Sequence, residues 1–188
     1  MFPSLILRVY FVSDTDIFES LRMAPLVDLC VNGDLEGVQA ALARGEDVNG
    51  VDGLNQTGLM LALERGHNSV VHELLHESTI AINNCNSRCD TALHFASASD
   101  NVTGLRMLLG AQAPGHRLTS VQTQGYLGHT PLMRAIMVGK MECVRELVSV
   151  EGVDLETRDD EGRSLEEMAR YGGITDNDVL MCVQAELS

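Results

Sequence analysis

The chain has no tryptophan, and tyrosine and phenylalanine together make up only 4% of its 188 residues. A core so short of rings must be filled by aliphatic side chains. Leucine, valine, alanine and the nine methionines are expected to build it, with Met137, Met141 and Met168 filling gaps between helices. Basic residues are also few: 13 Lys and Arg stand against 27 Asp and Glu, a formal net charge of −14. Binding nucleic acid needs a basic patch against the phosphate backbone, and none occurs. The acid excess then has two readings, plain solubility and steering of a partner with a basic surface. No apolar run is long enough to cross a membrane, so no membrane partner is expected. Five cysteines, odd in number and without paired spacing, argue for reduced thiols and a cytoplasmic chain, with the nucleus as the other compartment open to it.

What the chain does have is a period. The series Ala24, Thr57, Thr91, Thr130, Ser164 advances by 33, 34, 39 and 34 residues. Behind each opener come a Leu-rich helical stretch, a turn, a second apolar stretch and a short polar segment. Thr is a good N-cap, because its hydroxyl accepts from a free amide of the first turn, and Pro131 behind Thr130 sacrifices no helical bond. Gly33, Gly66 and Gly139 stand where a first helix must stop and the chain reverse through a positive backbone angle. Val70, Val71, Leu74 and Leu75 recur at helical spacing through the second helix. Asp47-Val48-Asn49-Gly50 reads as a turn between units. One such unit cannot bury its own apolar face, so neighbours must stack. The fold class is therefore all-α, a short solenoid of helix-turn-helix units joined by hairpin-like loops. Cys30 and Cys143 fall at apolar helix positions and are expected to be buried and inert.

Repeat four is the fullest, with Gly128, Thr130, Pro131, Leu132, Ala135, Gly139, Val144, Leu147 and Val148. Repeat three carries Thr91-Ala92-Leu93-His94-Phe95-Ala96, and repeat two Thr57-Gly58-Leu59-Met60-Leu61-Ala62 followed by Gly66-His67. The first unit keeps Gly45-Glu46-Asp47-Val48-Asn49. This pattern resembles the ankyrin repeat, with its Thr-Pro-Leu-His-x-Ala opening, mid-repeat Gly-His and Gly-Ala-Asp-Val-Asn close. The resemblance places an ankyrin repeat domain at 23–188, with repeats at about 24–52, 53–86, 87–124 and 125–158. A degenerate C-terminal cap follows at 159–185, where Glu166 takes a leucine position, as suits a terminal unit with one wet face. Asn55 and Cys89 replace a glycine two residues before Thr57 and Thr91, so those turns are expected to be strained or differently shaped. The long step from Thr91 to Thr130 implies a surface loop at 110–120. Residues 1–22 are expected to be an N-terminal extension outside the packed fold, with translation starting at Met23, or else to pair as strand or helix against the first repeat.

Two motifs invite metal chemistry. His72-Glu73-Leu74-Leu75-His76 matches the His-Glu-x-x-His helix signature of zinc hydrolases, in which the histidines hold zinc and the Glu activates water. Leu74 and Leu75, however, are the paired core leucines of a second helix, which leaves His72 and His76 on its wet side. Thr79 and Ile82 stand where one branch of those enzymes has Gly and a third His. Cys85, Cys89 and His94 fit no common zinc module, and in the ankyrin resemblance His94 has its own task of linking its turn to the neighbouring unit. No catalytic residue, metal ligand or cofactor is expected, and the zinc-dependent hydrolase is a remote alternative.

The resemblance implies a protein-binding module, with hairpin tips and the first helices lining a concave face. Residue by residue it marks Glu64, Arg65, Arg88 and Asp90 in the middle units. In repeat four it marks Tyr126, Leu127, His129, Met137 and Val138, an apolar patch with a charged rim of the kind that forms hot spots. The competing reading has Tyr126 and Leu127 cover the inserted loop. The implied roles are a monomeric scaffold or adaptor, or a small inhibitor that occludes a partner enzyme. Asn49 and Asn83 match the hairpin asparagines that are hydroxylated in some ankyrin proteins.

Overall fold

The computed structural model describes residues 25–110 and 121–171. The extension 1–22, most of the inserted loop and the distal part of the cap lie outside these. Among the described residues the helices come in pairs: α1 (Leu26–Asn32) with α2 (Leu35–Ala43), α3 (Gly58–Arg65) with α4 (Asn68–His76), α5 (Ala92–Ala98) with α6 (Val102–Gly110), and α7 (Pro131–Met137) with α8 (Met141–Val148). A last helix, α9 (Leu165–Tyr171), follows. The odd-numbered helices stack on one another in one layer, α1 to α9, while α2, α4, α6 and α8 form the second. One continuous apolar cluster fills the space between, from Leu26 through Leu63, Leu93, Leu105, Ile136 and Leu147 to Met168. Truncating one of its fully buried leucines to alanine costs about 2–5 kcal/mol. The all-α ankyrin solenoid expected from the period is the architecture found.

The openers work as capping chemistry requires. Thr57 Oγ1 accepts from Met60 N–H and Thr130 Oγ1 from Met133 N–H, both at 3.3 Å, each worth about 1 kcal/mol. The residue three places after the opener returns the favour differently in each unit. The sulfurs of Met60 and Met133 lie 3.5 Å from the openers' amides. In repeat three, His94 Nδ1 accepts from Thr91 N–H at 3.0 Å. In the last unit a Glu167 carboxylate oxygen accepts from Ser164 N–H at 2.8 Å. This slot corrects the expectation for methionine: Met168 is buried, but Met60 and Met133 are the other fully buried ones, whereas Met137 and Met141 are only half-buried. The capping register sends the first pair inward.

Gly33, Gly66 and Gly139 end their helices at φ 71, 75 and 75, and Asp100 takes that role in repeat three at φ 61. Between units the chain forms a tight hairpin closed by a single antiparallel bridge, Val51 to Thr57 and Cys85 to Thr91. Asn55 and Cys89 keep the left-handed conformation of Gly128 and Gly162, with φ 61 and 63 against 72 and 77. Of the two expectations for these turns, strain is therefore the outcome: the shape is kept, and a Cβ is tolerated in it at a cost. Cys30 and Cys143 are fully buried, and burial pushes both thiols up to about 12, far from the reactive thiolate.

Candidate protein-binding groove

Hairpins two and three and the first helices of repeats two to four enclose an open groove of about 370 Å³. Its floor is apolar, made by Phe95 and Ala98 of α5 and Met137 and Val138 of α7. Helical spacing explains the set, since residues three and four apart share a face. Phe95 leads to Ala98 and Ser99, and Arg134 leads to Met137 and Val138. Leu54 and Arg88 rise from the hairpin tips, and Glu64 closes the end of α3. Leu54, Tyr126, Leu127 and Val138 are exposed by 63%, 46%, 38% and 42%, a concentration of wet apolar surface on one side of the stack.

Hairpin four is built differently from its neighbours. In hairpins two, three and five an Asx side chain caps its own turn. Asp52 Oδ1 accepts from Leu54 and Gln56 N–H, Asn86 Oδ1 from Arg88 and Asp90 N–H, and Asp159 Oδ1 from Glu161 and Arg163 N–H. Repeat four has Gly125 at this place and so lacks that cap, and its tip is tied instead to a side chain of the previous unit. Asp90 Oδ1 accepts from Tyr126 N–H at 3.0 Å, while Asp90 Oδ2 holds Arg134 at 2.9 Å. A Cβ on Gly125 would lie 2.2 Å from that Oδ1, so only glycine admits the carboxylate.

Asp90 and His129 therefore depart from their expected exposure. Asp90 is 3% and His129 1% exposed. Both occupy the position before the opener, where the hairpin turns its side chain between units, and there they hold the stack. His94 Nδ1 accepts from an amide, so its proton sits on Nε2, which donates to His129 O at 2.9 Å. Burial lowers the pKa of His94 most, and the nearby Arg134 and His129 add to this against the opposing His129 carbonyl and Asp90. His129 is also lowered, first by burial and then by Arg134, against the pull of Asp159 3.6 Å away. For Asp159 burial works upward, but bonds from Arg163 and the Glu161 amide outweigh it and hold the carboxyl below its usual range.

The remaining residues marked in the sequence fall in three places. Arg88, Tyr126, Leu127, Val138 and Glu64 are exposed and Met137 half-buried. Of these, Glu64, Arg88, Met137 and Val138 line the groove, and Tyr126 joins it through Arg88, whose guanidinium carbon lies 5.4 Å from the ring centroid. Arg65 is exposed but outside the groove lining. Phe95 and Arg134 are lining residues that the marked set lacks. They occupy the x of Thr-Pro-Leu-His-x-Ala, and their helical spacing to Ala98 and Met137 was the available signal.

His72 and His76 are exposed on α4 with ring centroids 4.2 Å apart, and Glu73 accepts from Gln39 at 3.0 Å. No group of three metal-ligating side chains occurs among the described residues, and His94 is held within its turn. Asn49 bridges to the next unit, donating to Thr79 O at 2.9 Å and accepting from Ala81 N–H at 2.7 Å, whereas Asn83 is exposed. No helix among the described residues is long and apolar enough to cross a membrane.

Sequence comparison agrees with this architecture. A model of ankyrin repeats in three copies matches residues 26–120, and a single ankyrin repeat model matches residues 127–160. The chain belongs to the ankyrin repeat family, whose arrays are protein–protein interaction modules. It is similar to an E3 ubiquitin-protein ligase of Arabidopsis thaliana, XBAT33, at 30% identity over 155 residues, which cover 68% of this chain and 29% of that protein. The chain thus spans less than a third of the length of that relative.

Proposed function

We propose that this chain is a non-catalytic scaffold or adaptor that holds a protein partner in the groove between its hairpin tips and first helices. The observation that supports this reading is the coincidence of the groove with an exposed apolar rim at Leu54, Tyr126 and Val138. Buried aromatic and aliphatic anchors in such a setting supply most of a protein interface's affinity. An inhibitor would use the same face, and the two roles part on whether a bound enzyme keeps its activity. The test is quantitative mass spectrometry of proteins retained from source-cell extract by the immobilised full chain and by Tyr126→Ala/Met137→Ala. Specific partners should fall roughly tenfold or more on the double variant. Retention of the same set in the same amounts would sink the groove as the binding face.

A further inference from the structure

We propose that the groove selects an extended peptide segment carrying one Asp or Glu side chain, held by Arg88, with flanking apolar side chains seated on Phe95, Met137 and Val138. This rests on the groove being the binding face and names the chemistry of what enters it.

The charges that line the groove are unequal in what they leave for a partner. Arg134 is matched by Asp90, whose two oxygens are both occupied, one by that guanidinium and one by Tyr126 N–H. Neither group has charge to spare for a partner. Arg88 differs. It is exposed at the tip of hairpin three, and no carboxylate lies within ion-pair distance of it among the described residues. Its guanidinium lies over the Tyr126 ring. A guanidinium held against a ring by its charge keeps its N–H donors for a planar acceptor. The ring contact also restrains a side chain that would otherwise lose entropy on binding. Arg88 is thus a restrained, unspent fork, suited to a carboxylate.

The same charges argue against two other occupants. A basic segment, which the overall net charge of −14 would suggest, finds a counter-charge in Glu64 but meets the unpaired guanidinium of Arg88 beside the Tyr126 ring. A phosphorylated segment brings close to two negative charges, but the groove offers one uncompensated cation and also carries Glu64. One carboxylate matches the charge available. The open groove, with its apolar floor at Phe95, Ala98, Met137 and Val138, suits an extended segment that places alternate side chains on that floor.

The experiment is a random-peptide display selection on the full chain, followed by fluorescence polarisation with labelled synthetic copies of the enriched peptides. Arg88→Glu and Val138→Arg serve as variants, with matched melting curves as the check on folding. Enriched peptides should share an Asp or Glu beside apolar residues. Changing that residue to its amide should weaken binding roughly five- to tenfold. Arg88→Glu should weaken it similarly, and the two losses should not add, the signature of a direct pair. Val138→Arg should weaken every enriched peptide. Loss on Val138→Arg without an acid preference, or with a preference for Lys or Arg, overturns the carboxylate assignment and leaves the groove standing. So does tighter binding of a phosphoserine version, or dependence on the peptide's terminal carboxylate alone. Indifference to Val138→Arg, or no enrichment, overturns the groove itself.

Discussion

Hairpins three and four occupy equivalent places in successive units, yet only hairpin three caps its turn with a side chain of its own. Asn86 caps its own turn with two bonds to Arg88 and Asp90 amides. Gly125 has no side chain, and the tip that carries Tyr126 and Leu127 is tied down by Asp90 of the preceding unit. The difference shows how a solenoid, whose units already meet through apolar faces and hydrogen bonds between hairpins, can put a side chain of one unit in charge of its neighbour's turn. It also places the most apolar tip under the control of a buried carboxylate in the neighbouring unit.

The sharpest way to break the contrast is to remove each acceptor in turn. Asp90→Ala strips Tyr126 N–H of its partner and leaves Arg134, only 20% exposed, without a counter-charge. It should lose about 3 kcal/mol. Asn86→Ala, whose partners are two amides and no charged group, should lose about 1.5 kcal/mol. Urea unfolding measures both, and amide shifts locate the damage. Asp90→Ala should move Tyr126 and Leu127, whereas Asn86→Ala should move only hairpin three. Equal losses, or an undisturbed Tyr126, would show that the coupling is not energetic.

A second contrast concerns titration. His94 joins repeats three and four while the His129 ring faces the last unit, and both have pKa values below the ordinary 6.5. Asp90, Arg134 and His129 face the first, and Arg134, Asp159 and Arg163 face the second. The unfolded chain therefore takes up protons that the folded chain refuses. Stability is full above about pH 7 and falls as the pH drops through 6.5 toward the lower folded values. For His94 the cause is direct: a second proton on Nδ1 would face the Thr91 amide that now donates to it. Repeats two and four hold Met60 and Met133 in this slot and should not titrate. His94→Met should then flatten the fall in urea midpoint between pH 7.5 and 5.5, and an unchanged slope would assign the acid sensitivity elsewhere.

How far all this could be read in advance varied with the physics involved. Capping threonines, helix-stopping glycines and paired leucines repeat because local chemistry demands them, so the fold was open to inspection. Glu64, Arg88, Met137 and Val138 reached the groove because register alone carries them there. Asp90 and His129 did not behave as surface residues, because the side chain before each opener turns between units. That direction depends on hairpin geometry and on what the neighbouring unit offers. Phe95 and Arg134 sit in the unspecified x of the repeat opening, which marks no side chain, and only the stacking of α5 beside α7 shows that it faces the groove.

The smallest expected effect tests the comparison at its finest grain, the left-handed residue of each hairpin. Cys89 in hairpin three sits at φ 63 where hairpin four has Gly128 at φ 72. A Cβ in this region costs about 1 kcal/mol, and the Cys89 side chain is exposed. Cys89→Gly should therefore relieve strain with little packing lost. The more flexible unfolded chain offsets part of the gain, leaving a net stabilisation of about 0.5 kcal/mol. Asn55 holds the same conformation at φ 61, but its side-chain amide donates to Cys85 O at 2.9 Å, linking hairpins two and three. Asn55→Gly loses that bond as it loses the strain, and should come out neutral or slightly destabilised. Thermal midpoints of the two variants decide it. If Asn55→Gly rises as much as Cys89→Gly, the amide bond contributes nothing, and hairpins two and three are less coupled than the geometry implies.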